Sequence, residues 1–322
     1  MSEFDLDYTK DNRRNAKKEA AMDHFKNGKK MVRRHKDSVQ EKEKTSTELA
    51  EISHLGFKVR QSLKHETLEI LKNFFVFGDK YINETKYFPQ NTEIKFSSCQ
   101  PVHEDGPNLE FPVENIISFI SSSLEDTDTD TNKWCILNYA NPVKPGGGFE
   151  KEASVYEEAL SLSSGLYFSL SKGEGACMFT KNYEYEQKNE DGVFRSDLIY
   201  SPNVPLFRDE EFNVIEDIDE NYLEINIISI PAVNYNKFSK HENFTKEKYQ
   251  KIMKDRIHRI YSTALKYGHT KLILGPWGCG LEGGPLEDII QWFSDDDLSD
   301  YFDEIYFLCD DEETSQIMKD IF

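Results

Sequence analysis

The apolar run Trp134 to Tyr139 ends at two prolines and three consecutive glycines, Asn141-Pro-Val-Lys-Pro-Gly-Gly-Gly-Phe149. A run of that length and composition predicts a buried strand, and the Pro/Gly tract forces the chain to leave it at once. Three glycines admit φ > 0 and place no side chain in the way, so peptide N–H groups there can approach a bulky anion such as a diphosphate. Seven residues, 149–155, then separate the last glycine from Tyr156-Glu157-Glu158. Val155, Ala159, Leu162 and Leu166 begin a helical spacing at that point, which sets a carboxylate pair close to a phosphate cradle. Taken singly, a glycine triplet is most often a turn and adjacent glutamates a solvated helix face. Their order gives them more weight than either has alone.

Charge is distributed unevenly along the 322 residues. The net charge is −20, yet residues 1–36 carry eleven Lys and Arg against six Asp and Glu. From Asp11 to about Glu51 the sequence is charged and poor in large apolar residues, which predicts a solvated helical or disordered extension over 1–55. Its basic cluster around Lys29, Lys30, Arg33 and Arg34 suits either a solubilising tail or contact with an anionic polymer. The acidic remainder disfavours direct DNA or RNA binding by the main domain, which must hold any anionic ligand through backbone donors. No run approaches the roughly 18 apolar residues of a membrane span, and Met1 to Asp7 lacks the apolar segment of a secretory signal. Five cysteines, far apart and without a Cys-x-x-Cys spacing, argue against a disulfide framework or a zinc site. An intracellular, reducing compartment is expected, cytoplasmic or nuclear.

Beyond the extension, helical spacing is expected over 59–75, a strand over 92–99, and a helix over 111–124 that runs into a polar loop at 121–132. After the carboxylates, 182–197 is polar and rich in turn residues, and Ile199 to Arg208 is extended and marked by prolines. Tyr222 to Val233 predicts a strand that stops at Pro231-Ala-Val-Asn234, which sets a polar residue just past its end. Phe244 to Tyr267 predicts the longest helix, stopped by Gly268. A strand at 272–274, a helix at 286–293, a strand at 304–309 and a helix at 314–322 complete the chain. This alternation calls for a layered α/β sheet, with ligands outside the carboxyl ends of its strands. Three loops meet that description: 141–149, 231–238 and 275–284.

Asn138-Tyr-Ala-Asn141, the glycine triplet with Phe149, the seven-residue spacing and Tyr156-Glu-Glu158 together resemble the signature of the microbial-type poly(ADP-ribose) glycohydrolases of the macrodomain superfamily. In that family the glycine triplet is followed by Gln-Glu-Glu. Gly165-Leu-Tyr167, Tyr200 to Asp209 and Leu274 to Gly280 are similar to it as well, so the resemblance runs from about residue 59 to 309. It implies a macrodomain-like three-layer α/β/α domain with a mixed central sheet over 56–322. It also implies hydrolysis of ribose–ribose O-glycosidic bonds, releasing ADP-ribose from poly(ADP-ribose) on modified proteins. Such a bond breaks through an oxocarbenium-like transition state and needs a proton on the leaving oxygen. Two carboxyls in one small site can keep that proton near neutral pH, and no metal or cofactor is required.

By this resemblance Glu158 is the acid that then becomes the base for water, and Glu157 holds ribose hydroxyls. Asn141 touches the same ribose; Gly146, Gly147 and Gly148 hold the diphosphate, while Gly278, Cys279 and Gly280 close over its other side. Phe149, Tyr156, Asn234, Gly275 and Leu281 complete the expected substrate-binding set. Two positions depart from the family: Tyr156 stands where it has glutamine, and Glu282 where related loops carry an aromatic residue. They leave open a noncatalytic ADP-ribose reader and a mono-ADP-ribosyl hydrolase. A nucleotide phosphohydrolase fits poorly, because no spaced third carboxylate accompanies the pair for magnesium.

Overall fold

The computed structural model describes residues 57–73, 79–96, 106–124, 133–149 and 155–322. The expected extension over 1–55 lies outside them, as do residues 125–132 of the expected polar loop. Seven strands form one sheet: β1 (Lys86–Phe88), β2 (Asn108–Glu110), β3 (Trp134–Tyr139), β4 (Leu198–Leu206), β5 (Leu223–Ile230), β6 (Lys271–Leu274) and β7 (Glu304–Phe307). Their order is β1-β4-β5-β3-β6-β7-β2. β3 pairs in parallel with both β5 and β6, β7 with β6, and β2 with β7, whereas β4 runs antiparallel to β1 and β5. The sheet is therefore mixed, and the carboxyl ends of its four central parallel strands meet at one edge.

β3 shows why the sheet is covered on both faces. Trp134 and Ile136 enter one apolar core, Cys135 and Leu137 the other. A strand apolar at successive positions has no solvent face to offer. On the first side pack α1 (Phe57–Asn73), α3 (Ile116–Leu124), α4 (Val155–Ser163) and α5 (Leu166–Ser171), through Ile70, Ile117, Leu160 and Leu166. On the second pack α9 (Lys246–Lys266), α10 (Leu286–Ser294) and α11 (Glu312–Ile321), through Met253, Ile257, Ile289, Phe293 and Met318. The expected three-layer α/β/α arrangement is present. Short helices α2 (Lys80–Glu84), α7 (Ile218–Asn221) and α8 (Tyr235–Phe238), with α6 (Ala176–Asn189), complete the described α-helices.

Several elements differ from expectation. Residues 92–96 form no strand: Thr92 closes a turn onto Pro89, and Arg259 takes the carbonyls of Pro89 and Thr92 that a ladder would have used. The helix expected from 111 begins at Ile116, where the Asn115 side chain accepts the N–H of Ile117; Val113 instead bridges to Cys309 beyond β7. Much of the stretch expected to be turn-rich over 182–197 is helix, since α6 continues to Asn189. Asn182 is buried there, and its carbonyl oxygen accepts the Arg195 N–H. α9 matches its pattern, opened by the Thr245 side chain accepting from Lys248 N and ended at Gly268 with φ +78°.

Arg256 of α9 ties the loop after β5 to the segment before β4. Its buried guanidinium donates to the carbonyls of Pro231, Val193 and Phe194 and to Ser196 Oγ. Arg256→Met removes those donors and strands three carbonyls, so it is expected to lower stability by about 3 kcal/mol, read as a shift in the urea midpoint with the slope unchanged.

Candidate active site

A cavity of about 470 Å³ opens at the carboxyl edge of the parallel strands. The end of β3 and the first turn of α4 supply Tyr139, Asn141, Gly147, Tyr156, Glu157 and Glu158 to its wall. The loop after β6 supplies Pro276, Gly278, Gly280, Leu281 and Glu282. The segment after β7 and the start of α3 close the far end with Leu308, Cys309, Asp310, Asp311, Thr314, Glu114 and Ile116. The charged side chains of this lining are all acidic.

Glu157 and Glu158 lie in the first turn of α4, each 5% exposed. Glu157 Oε2 accepts the N–H of Asn141 at 2.8 Å, and Oε1 faces Asn138 Nδ2 at 3.4 Å. The Gly146 N–H also points to Glu157. Glu158 Oε1 accepts the N–H of Gly148. Between these two donors Gly147 passes under both carboxyls: a Cβ there would stand 2.8 Å from Glu158 Oε1 and 2.9 Å from Glu157 Oε2. Gly146 and Gly147 both have positive φ, +67° and +59°, so only glycine makes this double turn without strain. Burial is the main cause that pushes the Glu157 carboxyl up to about 8, with the Glu158 charge adding to it and the donated hydrogen bonds opposing it.

The backbone here differs from what the glycine triplet suggests. Gly146 and Gly148 spend their N–H groups on the carboxylates, and Gly147 donates to the Lys144 carbonyl at 3.0 Å. The expected diphosphate donors of this loop are therefore committed to shaping the loop and holding the glutamates. Asn141 lines the cavity, while its Oδ1 accepts from Val143 and Lys144 N–H to set the turn. The second glycine loop is the one with backbone donors to spare. Its Trp277, Cys279 and Gly284 N–H groups are satisfied internally, whereas those of Gly278, Gly280 and Leu281 meet no acceptor among the described residues.

The other expected residues lie behind the wall. Phe149 stacks on Tyr167 in the core, ring centroids 4.4 Å apart. Asn234 caps α8 by accepting from Lys237 N, and its N–H goes to Gly192. Cys279 packs on the second core, and burial pushes its thiol up to about 12. Gly275 leaves room for the Tyr139 hydroxyl. Residues not expected from sequence include Asn138, Tyr139, Glu114 and Asp310. Asn138 was detectable as a polar residue inside a buried apolar run. Asp310 joins the cavity because β7 lies beside β6, an adjacency that no local pattern states. Its carboxyl is raised, first by burial and then by Asp311.

The family model described as the microbial-type PARG catalytic domain matches residues 5–209. That span takes in the glycine triplet, both glutamates and the charged N-terminal stretch. A comparison with curated proteins finds no match. Among solved structures, poly(ADP-ribose) glycohydrolase (PARG) from Thermomonospora curvata is similar with a TM-score of 0.70 and 23% identity, covering 82% of this chain and 100% of that one. The same enzyme bound to the inhibitor ADP-HPD gives 0.66 and 22%, over 82% and 100%. PARG from Deinococcus radiodurans in complex with ADP-ribose gives 0.62 and 22%, over 76% and 96%. At these identities the structural likeness speaks for the fold.

The raised Glu157 carboxyl carries a pH signature. Its folded pKa of about 8 lies above the ordinary 4.5, so between those values the folded protein keeps a proton that the unfolded chain releases. The stability this group contributes is complete below pH 4.5 and is lost as pH rises toward 8. Glu157→Gln is expected to flatten that decline and raise stability at the alkaline end by on the order of 2 kcal/mol, measured by urea unfolding at mildly acidic and mildly alkaline pH.

Proposed function

This chain belongs to the microbial-type poly(ADP-ribose) glycohydrolase catalytic-domain family, and on that premise we propose that its cleft holds one ADP-ribose unit of a polymer and hydrolyses the ribose–ribose O-glycosidic bond joining it to the next. The observation that carries the reading is the pair of buried carboxyls side by side at the cavity wall, where burial and the neighbouring charge raise the Glu157 carboxyl. Carboxyls so close together titrate as a pair, and a pair that retains one proton can offer it to a leaving group. Glu158 delivers the proton to the departing ribose oxygen as the anomeric C–O bond breaks. Its carboxylate then takes a proton from water, whose oxygen bonds to the anomeric carbon, and ADP-ribose is released. Glu157, held by Asn141 and Asn138, accepts from ribose hydroxyls and orients the ring. Gly278, Gly280 and Leu281 offer N–H groups to the diphosphate.

The reading extends to polymer carried on modified proteins and to an intracellular site of action, which the odd, widely spaced cysteines support. Among the described residues no helix is long and apolar enough to cross a membrane. A separate basic arm over 1–55 beside a catalytic unit over 56–322 belongs to the same reading, supported by the change in composition near that boundary.

Glu158→Gln is expected to lower release of ADP-ribose from poly(ADP-ribosyl)ated protein by about 10³-fold while ADP-ribose binding stays within a few-fold of wild type. Turnover at the wild-type rate would remove Glu158 from the mechanism. Binding without turnover in the wild type, on polymer and on mono-modified protein alike, would make the protein a reader.

A further inference from the structure

The body of the chain is acidic overall, yet one of its faces is not. Residues 237–254 carry six lysines against two glutamates, in a chain whose net charge is −20. They run from α8 through the first turns of α9. Lys237 pairs with Glu186 and Lys254 with Asp295. Lys240, Lys246, Lys248 and Lys251 are exposed and form no ion pair among the described residues. The placement costs stability: Lys246 and Lys248 lie in the first turn of α9, where the helix dipole disfavours cations, and Lys248 and Lys251 are like charges on neighbouring turns. A merely solvated face would gain more from acids there, which the composition holds in excess, 59 Asp and Glu against 39 Lys and Arg. Cations kept where the fold disfavours them point to a partner outside it.

This face is continuous with the rim of the cleft. Asn236, one residue before Lys237, donates its N–H to the Glu282 carbonyl at 2.9 Å and its side-chain amide to the Leu281 carbonyl at 3.2 Å, and Leu281 and Glu282 line the cavity. The start of α9 packs behind the same loop: a Cβ on Gly284 would stand 2.7 Å from the Tyr249 hydroxyl, and one on Gly278 3.5 Å from Met253 Cε. Elsewhere the charges around the opening are acidic. Glu114, Asp310 and Asp311 close the far end, and the exposed Glu287 and Asp288 follow the loop into α10. The lysines of α8 and α9 therefore form the one side of the opening described here that attracts an anion.

We propose that the face carrying Lys240, Lys246, Lys248 and Lys251 binds the polyanionic remainder of the polymer, the units that extend beyond the one in the cleft, through their diphosphates. The inference rests on the reading that the cleft takes one ADP-ribose unit of such a chain. Every further unit adds a diphosphate, and neutralising phosphates along a polyanion releases the counterions condensed on it. The face supplies the attraction that the acidic lining lacks. Free ADP-ribose ends inside the cleft and gains nothing from it, so polymer is captured without the product being retained.

A full-length variant carrying Lys240→Gln, Lys246→Gln, Lys248→Gln and Lys251→Gln tests this against a control carrying Lys72→Gln, Lys133→Gln, Lys266→Gln and Lys319→Gln. The control removes equal charge elsewhere, Lys266 being at the other end of α9. KM and kcat on poly(ADP-ribose) are measured over a range of salt, together with calorimetric affinity for ADP-ribose and the melting temperature. The face variant is expected to raise KM about tenfold at nearly constant kcat, and to flatten the slope of log KM against log salt by about two. Its ADP-ribose affinity stays that of wild type and its melting temperature does not fall, while the control keeps the wild-type KM within about twofold. An unchanged KM and salt slope overturns the proposal and leaves the hydrolase reading standing. An equal rise in the control overturns it as well, because the effect is then one of net charge, and so does an equal loss of ADP-ribose affinity, which puts the lysines at the service of the cleft itself. Single-stranded RNA bound by wild type as tightly as polymer, and lost with the same four substitutions, assigns the face to nucleic acid instead. Wild-type protein that releases no ADP-ribose from polymer brings down the hydrolase reading, and the proposal with it.

Discussion

Two carboxyl groups buried side by side would repel each other and resist desolvation unless something at the same spot compensated them. Here the compensation comes from the backbone. N–H groups of Asn141 and Gly146 go to Glu157, that of Gly148 goes to Glu158, and Gly147 provides the space in which both carboxyls lie. The arrangement needs β3 to end at Tyr139, two successive positive-φ residues after it, and α4 to return its first turn to the same point. The glycine triplet is thus a mount for the carboxyl pair.

That use of the first loop leaves the loop after β6 as the one with backbone donors to spare. The loop after β6 is clamped from behind: Asn236 donates its N–H to Glu282 O and its side-chain amide to Leu281 O. Fixed in this way, the N–H groups of Gly278, Gly280 and Leu281 need no reorganisation to meet an anion. With only acidic charges lining the cavity, binding depends on neutral donors and shape. An anionic polymer would be repelled by that lining at a distance and held only by short contacts once in place.

The buried arginines show a related economy in the scaffold. Arg256 and Arg259 project from the same helix and take backbone carbonyls at the end of β1, at Phe88, and in segments that carry no regular ladder, at 89–92, 193–194 and 231. Side-chain donors thereby do what strand pairing would have done. This is why the apparent strand at 92–96 does not form despite its alternation. It also keeps the approach to β4, and the loop after β5, in register with the edge where the cleft opens.

In three segments the sequence alone determined the structure: the all-apolar β3 and its Pro/Gly stop, the strong periodicity of α9 with Thr245 and Gly268 at its ends, and the spacing that sets Glu157 and Glu158 in a helix's first turn. The family and the layered α/β class followed from those segments. Short edge strands such as β1 and β2 were illegible because three residues hold no period and exist only through their partners β4 and β7. The helical continuation through 182–189 was hidden by polar composition, and its placement depends on Asn182 meeting Arg195. Tertiary structure alone decided which N–H groups remained free, that Tyr139 stacks on Tyr156, and that Asp310 shares their cavity. The reason is the same in each case: hydrogen-bond satisfaction and cavity lining belong to residues brought together by sheet order, and no local pattern encodes an account that closes only across the fold.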